Sequence, residues 1–181
     1  MLAHRAATMV VVLGEQPPRQ ELWAQVLAAA EVTAAGMNAQ QLANFAWGCG
    51  KLTDRSGECW LPDASPARRH VVEALACSAP AMEPQHVSNS LWALAKLNAP
   101  VLGDLRARML HAAGRVAPAM KQQEVGNTLW ALATLRVHLE GDLRARMLHA
   151  AGRVAPAMKQ QEVSNTPVSY THLTLPTTPY V

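Results

Sequence analysis

Four strings of the chain carry one polar pattern, and the chemistry it offers is recognition. In residues 40–52 (QQLANFAWGCGKL), 85–97 (QHVSNSLWALAKL), 123–135 (QEVGNTLWALATL) and the truncated 161–166 (QEVSNT), an asparagine recurs as Asn44, Asn89, Asn127 and Asn165. A primary amide donates and accepts at once, so a spaced row of them can read base edges or phosphate-sugar groups; an Asn fixed in every copy can equally tie its side chain to neighbouring backbone. Beside the Asn, Lys51 and Lys96 offer ammonium groups to phosphate. Positions that differ between copies are the natural readers of a variable ligand. These are Gln41, His86, Glu124 and Glu162, and separately Phe45, Ser90, Thr128 and Thr166. Trp47, Trp92 and Trp130 recur three residues after the Asn; an indole accepts any base by stacking, but a Trp set in LWALA reads first as a packing residue.

Catalytic arrangements are missing from this inventory. His111 and His149 occur without Cys, Asp or Glu at metal-ligand spacing and read as partly buried helix residues. Asp104 and Asp142 follow a glycine near a helix start, where capping and the helix dipole account for a carboxylate. There is no phosphate-binding glycine loop, no GxSxG and no Cys/His pair with a third partner, so the sequence reads as non-enzymatic, with no cofactor and no small-molecule substrate.

The elements that hold these residues follow from repetition. Residues 103–128 and 141–166 are the same 26 residues with one change, Gly126 to Ser164, at an offset of 38. Recent duplication and mis-assembly of a repetitive region both leave such copies. The offset of 38 also relates Asn89 to Asn127, whereas Asn44 precedes Asn89 by 45. The seven extra residues fall near 53–65 (TDRSGECWLPDAS), a loop insertion by its Gly, Ser, Asp and Pro content. Each unit holds two helical patterns. In helix A, Val87, Leu91, Leu94 and Ala95, with Val125, Leu129, Leu132 and Ala133 in the next copy, form an apolar stripe; Gln85, Asn89 and Lys96 lie opposite, with Trp92 at their edge. Helix B spans about 104–116, with Leu105, Met109, Ala112, Ala113 and Val116 inward. Pro80, Pro118 and Pro156 mark the turns that follow. An incomplete helix B opens the repeats over about 21–35, with Ala24, Leu27 and Ala28 on its inner face. The expected fold is all-α: a right-handed α-solenoid of about three to three and a half two-helix units, each burying its apolar face on its neighbours.

Composition agrees. Of 181 residues, half are apolar, 33 are alanine, 16% are charged and the net charge is +3. The chain can bury a core, and no apolar run reaches the ~20 residues of a membrane-spanning helix, so no membrane partner is expected. Cys49, Cys59 and Cys77 are too few for a disulfide scaffold and read as buried small apolar residues. Arg106, Arg108, Arg115 and Lys121, with Arg144, Arg146, Arg153 and Lys159, give helix B a basic character that suits either phosphate or a solvated outer face.

The 38-residue period, the two helices per unit and the string QEVxNTLWALAxL resemble the octotricopeptide-repeat proteins and the related helical arrays that precede RAP domains in green-algal and apicomplexan organelle factors. The resemblance covers about 40–166. It implies an organellar single-stranded RNA-binding protein that acts in processing, stability or translation of a transcript in the chloroplast, with the mitochondrion as the alternative. Its RNA-binding residues would be Asn44, Lys51, His86, Asn89, Ser90, Lys96, Glu124, Asn127 and Thr128. The competing expectation is a protein-interaction scaffold of the tetratricopeptide-like type, holding a peptide or partner helix on the same face. Residues 1–20, with two Arg and no acid before Glu15, read as a disordered or transit-like N-terminus. Residues 167–181 read as a disordered tail, of which 167–177 (PVSYTHLTLPT) resemble the in-frame translation of a sequencing-library adapter.

Overall fold

A computed structural model describes residues 20–157. The N-terminal stretch before Gln20, the adapter-like tail, Lys159, Asn165 and the other positions after Ala157 lie outside the described residues. Among the described residues there are seven α-helices: α1 (Gln20–Thr33), α2 (Ala39–Ser56), α3 (Pro66–Ser78), α4 (Pro84–Lys96), α5 (Gly103–Val116), α6 (Gln122–Thr134) and α7 (Gly141–Val154). Four 3-10 turns follow α1, α3, α5 and α7. Among the described residues there is no strand, and no helix is long and apolar enough to cross a membrane.

Local chemistry sets these boundaries. Pro66 and Pro84 occupy first-turn positions, where a missing N–H costs nothing. Pro80 and Pro118 sit in the 3-10 turns that end α3 and α5, as the sequence requires. After α4 and α6 the chain reverses through Asn98 (φ 48°) and Arg136 (φ 53°), and the Ala99 and Val137 N–H groups donate back to the Leu94 and Leu132 carbonyls at 2.8 and 2.9 Å.

Packing sorts the helices by type. The even helices α2, α4 and α6 pack in succession, the odd helices α1, α3, α5 and α7 do the same, and the two sets meet over a common core. That core repeats with the sequence: Met37, Met82 and Met120 close each turn and are buried, as are Ala34, Ala79 and Ala117. The expected stripes face it. Val87, Leu91, Leu94 and Ala95, and Leu105, Met109, Ala112, Ala113 and Val116, are all buried, while Ala133 is half-buried. Gly50 lets α2 and α4 approach closely, since a Cβ there would meet Ala93 Cα and Trp92 Cζ3, each at 3.1 Å.

Two expectations are corrected. On α1 the inner face is Trp23, Val26 and Ala30; Ala24 and Ala28 are exposed and Leu27 is only partly buried. The indole, with the larger apolar area to remove from water, sets the helix rotation. The insertion is also partly helical, because α2 continues to Ser56 and stops at Gly57 in the left-handed region (φ 74°). The loop beyond returns Trp60 and Leu61 to the core. Trp23 and Trp60, which have no registered counterparts in the sequence, meet each other: their rings lie edge to face at 5.3 Å, and Trp23 Nε1–H donates to the Trp60 carbonyl at 2.8 Å. Buried Arg68 anchors the same loop, donating to the Leu61 carbonyl at 2.9 Å and pairing with Asp63 at 2.9 Å.

Candidate nucleic-acid interface

The even helices present one polar face, and its centre is a row of amides. Asn44, Asn89 and Asn127 are half-buried and line one groove of about 400 Å³ with Trp47, Gln85, Ser88, Lys121, Gln123 and Glu124. Among the described residues the three Asn side chains make no hydrogen bond. The alternative of an Asn tied to neighbouring backbone is therefore not what the geometry shows, and each amide keeps its donors and acceptor for a ligand.

The tryptophans and lysines form a second row that meets the amide groove at Trp47. Trp47, Trp92 and Trp130 are half-buried, and lysines alternate with them across the units. Lys51 Nζ lies 5.6 Å from the Trp47 ring centre and 5.3 Å from that of Trp92. Lys96 Nζ lies 5.6 Å from Trp92 and 4.6 Å from Trp130. The Trp92 and Trp130 rings are 6.4 Å apart and tilted by 36°. Lys96 also pairs with Asp54 at 2.6 Å. The ladder ends at Thr134, which stands where the earlier copies have lysine and whose hydroxyl donates to the Trp130 carbonyl at 2.9 Å. The ammonium groups take up ring surface that a stacked base would use, which favours the packing reading of the tryptophans. Lys51 and Lys96, the expected phosphate contacts, lie against these rings and are half-buried.

Four further expected contacts are either buried or turned back onto their own helix, Glu124 while also lining the amide groove. Ser90 and Thr128 are fully buried, and neither hydroxyl has a partner, so neither reaches a ligand on this face. Their register mate Phe45 is also fully buried and apolar. His86 and Glu124, like Gln41, turn back to close the first turn of their own helix. Gln41 Oε1 accepts from the Asn38 N–H at 3.0 Å, His86 Nδ1 from the Glu83 N–H at 3.3 Å, and Glu124 Oε2 from the Lys121 N–H at 2.7 Å. The variation Gln, His, Glu is the variation among acceptors that satisfy an orphan N–H three residues back. The missed signal is Asn38-x-x-Gln41, a capping box legible in the sequence. Of the nine expected contacts, Asn44, Asn89 and Asn127 remain free-standing in one groove.

The basic residues of the odd helices serve the fold in large part. Arg108 and Arg146 pair with Asp104 and Asp142 at 2.7 and 2.6 Å within their own helices; neither aspartate caps its helix through a side-chain hydrogen bond. Arg115 reaches across to the preceding turn, donating to the Met82 carbonyl at 2.5 Å and the Ala79 carbonyl at 3.4 Å. Arg153 repeats this on the Met120 and Ala117 carbonyls at 2.5 and 3.5 Å. Arg106 and Arg144 are exposed on the odd layer, and Lys121, in the amide groove, makes no side-chain hydrogen bond or ion pair among the described residues. His111 and His149 are exposed rather than partly buried. Burial pushes the Cys49 thiol well above its ordinary range, which fits a small apolar residue, whereas Cys59 and Cys77 are exposed. Among the described residues no group of three or more His, Cys, Asp or Glu could hold a metal ion.

Comparison with known proteins adds no relative: no family model matches the chain, and no curated protein is significantly similar to it.

Proposed function

We propose that this chain is a single-stranded RNA-binding repeat protein of the octotricopeptide type, a right-handed α-solenoid that performs no chemistry and acts on an organellar transcript in the chloroplast or mitochondrion. The observation that carries the reading is the groove in which Asn44, Asn89 and Asn127 stand with unengaged amides, one from each successive even helix. Successive units offering one amide each suit a strand whose bases are splayed and read singly by hydrogen bonds to their edges. Lys121 is the one lysine or arginine lining that groove, so phosphate adds little to the affinity. With one phosphate neutralised, the logarithm of the binding constant falls with the logarithm of salt at a slope of about −0.7.

The test is fluorescence anisotropy of the chain with a pool of short single-stranded RNAs at two salt concentrations, alongside Asn89→Ala/Asn127→Ala. Saturable binding with a shallow salt slope that weakens at least about tenfold in the double variant supports the proposal. Equal binding by both proteins removes the amide row from the interface.

One observation favours a second reading. With Lys51 and Lys96 lying against indole rings, the groove is dominated by neutral amides, and a primary amide also matches the N–H and C=O of an extended peptide. Failure to bind RNA at low salt, with binding of an extended peptide that depends on Asn89 and Asn127, selects the scaffold.

A further inference from the structure

The odd helices hold a second feature, independent of the amide groove. The repeat register aligns 31–37 (EVTAAGM), 76–82 (ACSAPAM) and 114–120 (GRVAPAM). It also puts Cys77 where the later copies have Arg115 and Arg153, and Glu73 where they have His111 and His149. In the two later grooves the arginine donates to the carbonyls of the Met and Ala that close the preceding turn. In the first groove the same turn, Ala34 to Met37, packs against α3, which carries Cys77 in place of that arginine. Among the described residues the Met37 carbonyl accepts no hydrogen bond.

A cavity of about 570 Å³ lies at this place, lined by Glu31, Ala35, Met37, His70, Glu73, Ala74, Cys77 and Ser78. Three departures from the register alter its charge together. An arginine is lost at Cys77, a histidine becomes Glu73, and Glu31 stands where the next copies have Ala76 and Gly114. His70 lines the same cavity, and its Nδ1 is buried without a partner. The result is a groove with two carboxylates and an open turn carbonyl, next to two grooves in which the chain shows which group such a turn accepts. A planar guanidinium presents five donors and pairs with carboxylates as well as carbonyls.

We propose that the groove between α1 and α3 is a docking site for an arginine side chain of a partner protein, whose guanidinium takes the position that Arg115 and Arg153 fill in the later units. It would donate to the Met37 and Ala34 carbonyls and be neutralised by Glu31 and Glu73. The chain is thereby complete in its later units and completed from outside in the first.

The experiment titrates the full chain with N-acetyl-arginine amide and N-acetyl-lysine amide, reading the Glu31, His70 and Glu73 amide signals by NMR. Saturable shifts with a dissociation constant of about 1 to 10 mM for the arginine probe, at least tenfold weaker for lysine, are expected. Cys77→Arg places the group in cis and abolishes the response; Glu31→Gln/Glu73→Gln, which leaves the helices intact, weakens it at least tenfold. No saturable response, equal affinity for lysine, or an unchanged response in the Glu31→Gln/Glu73→Gln protein overturns the proposal. So does binding that emerges only when Arg5 and Arg19 are replaced by Ala, because the occupant is then this chain's own N-terminal arginine.

Discussion

Lys96→Met separates the two roles a lysine beside tryptophans can have. In the folded chain Lys96 lies over the Trp92 and Trp130 rings at 5.6 and 4.6 Å and pairs with Asp54 at 2.6 Å, with about a quarter of its side chain exposed. Each cation–π contact at a partly exposed site contributes about 0.5 to 1 kcal/mol. The half-exposed ion pair adds between about 0 and 1 kcal/mol. Methionine keeps most of the apolar stem and its packing on the indoles, so the loss is electrostatic. The expected destabilisation is about 1 to 3 kcal/mol, measured by urea unfolding followed by far-UV circular dichroism, with the slope on denaturant unchanged. RNA affinity measured well below the unfolding transition is expected to stay within about twofold, since the ladder and not the ligand holds this ammonium. A destabilisation under about 0.3 kcal/mol combined with a tenfold loss of RNA affinity would refute this reasoning and return Lys96 to the phosphate-binding residues.

Other consequences follow from the same geometry. Arg115→Met leaves the Met82 carbonyl without its charged donor and should cost about 1 to 2 kcal/mol by urea unfolding; Arg153→Met should behave alike, and the two losses should add because they share no partner. Ser90→Ala removes a buried hydroxyl that has no partner, so it should stabilise the chain by up to about 1 kcal/mol without altering RNA affinity; destabilisation beyond about 1 kcal/mol would show that the hydroxyl is satisfied. A water-soluble thiol reagent at pH 8 should label Cys59 and Cys77 rapidly and Cys49 only on unfolding, because burial holds the Cys49 thiol protonated; labelling of all three at one rate would contradict its burial.

Period and polarity in the sequence determine the helices. Apolar residues three and four apart leave one solution for Val87, Leu91, Leu94 and Ala95, and a proline in each APAM turn leaves little freedom about where the odd helices stop. The Asn row was legible for the same reason, since a residue repeated at one helical phase reaches one face in every unit. The capping residues were legible too, and reading variation between copies as accessibility obscured them: Ser90 and Thr128 flank the apolar stripe and are buried with it. What needed the tertiary structure is every contact made between units. Whether a lysine meets phosphate or an indole depends on the neighbouring helix that brings Trp92 against Lys51 and Trp130 against Lys96. Trp23 finds Trp60, and Arg115 finds the Met82 carbonyl, across 37 and 33 residues of chain. Periodicity fixes the direction a side chain takes from its own helix; what it meets there is set by the packing of another.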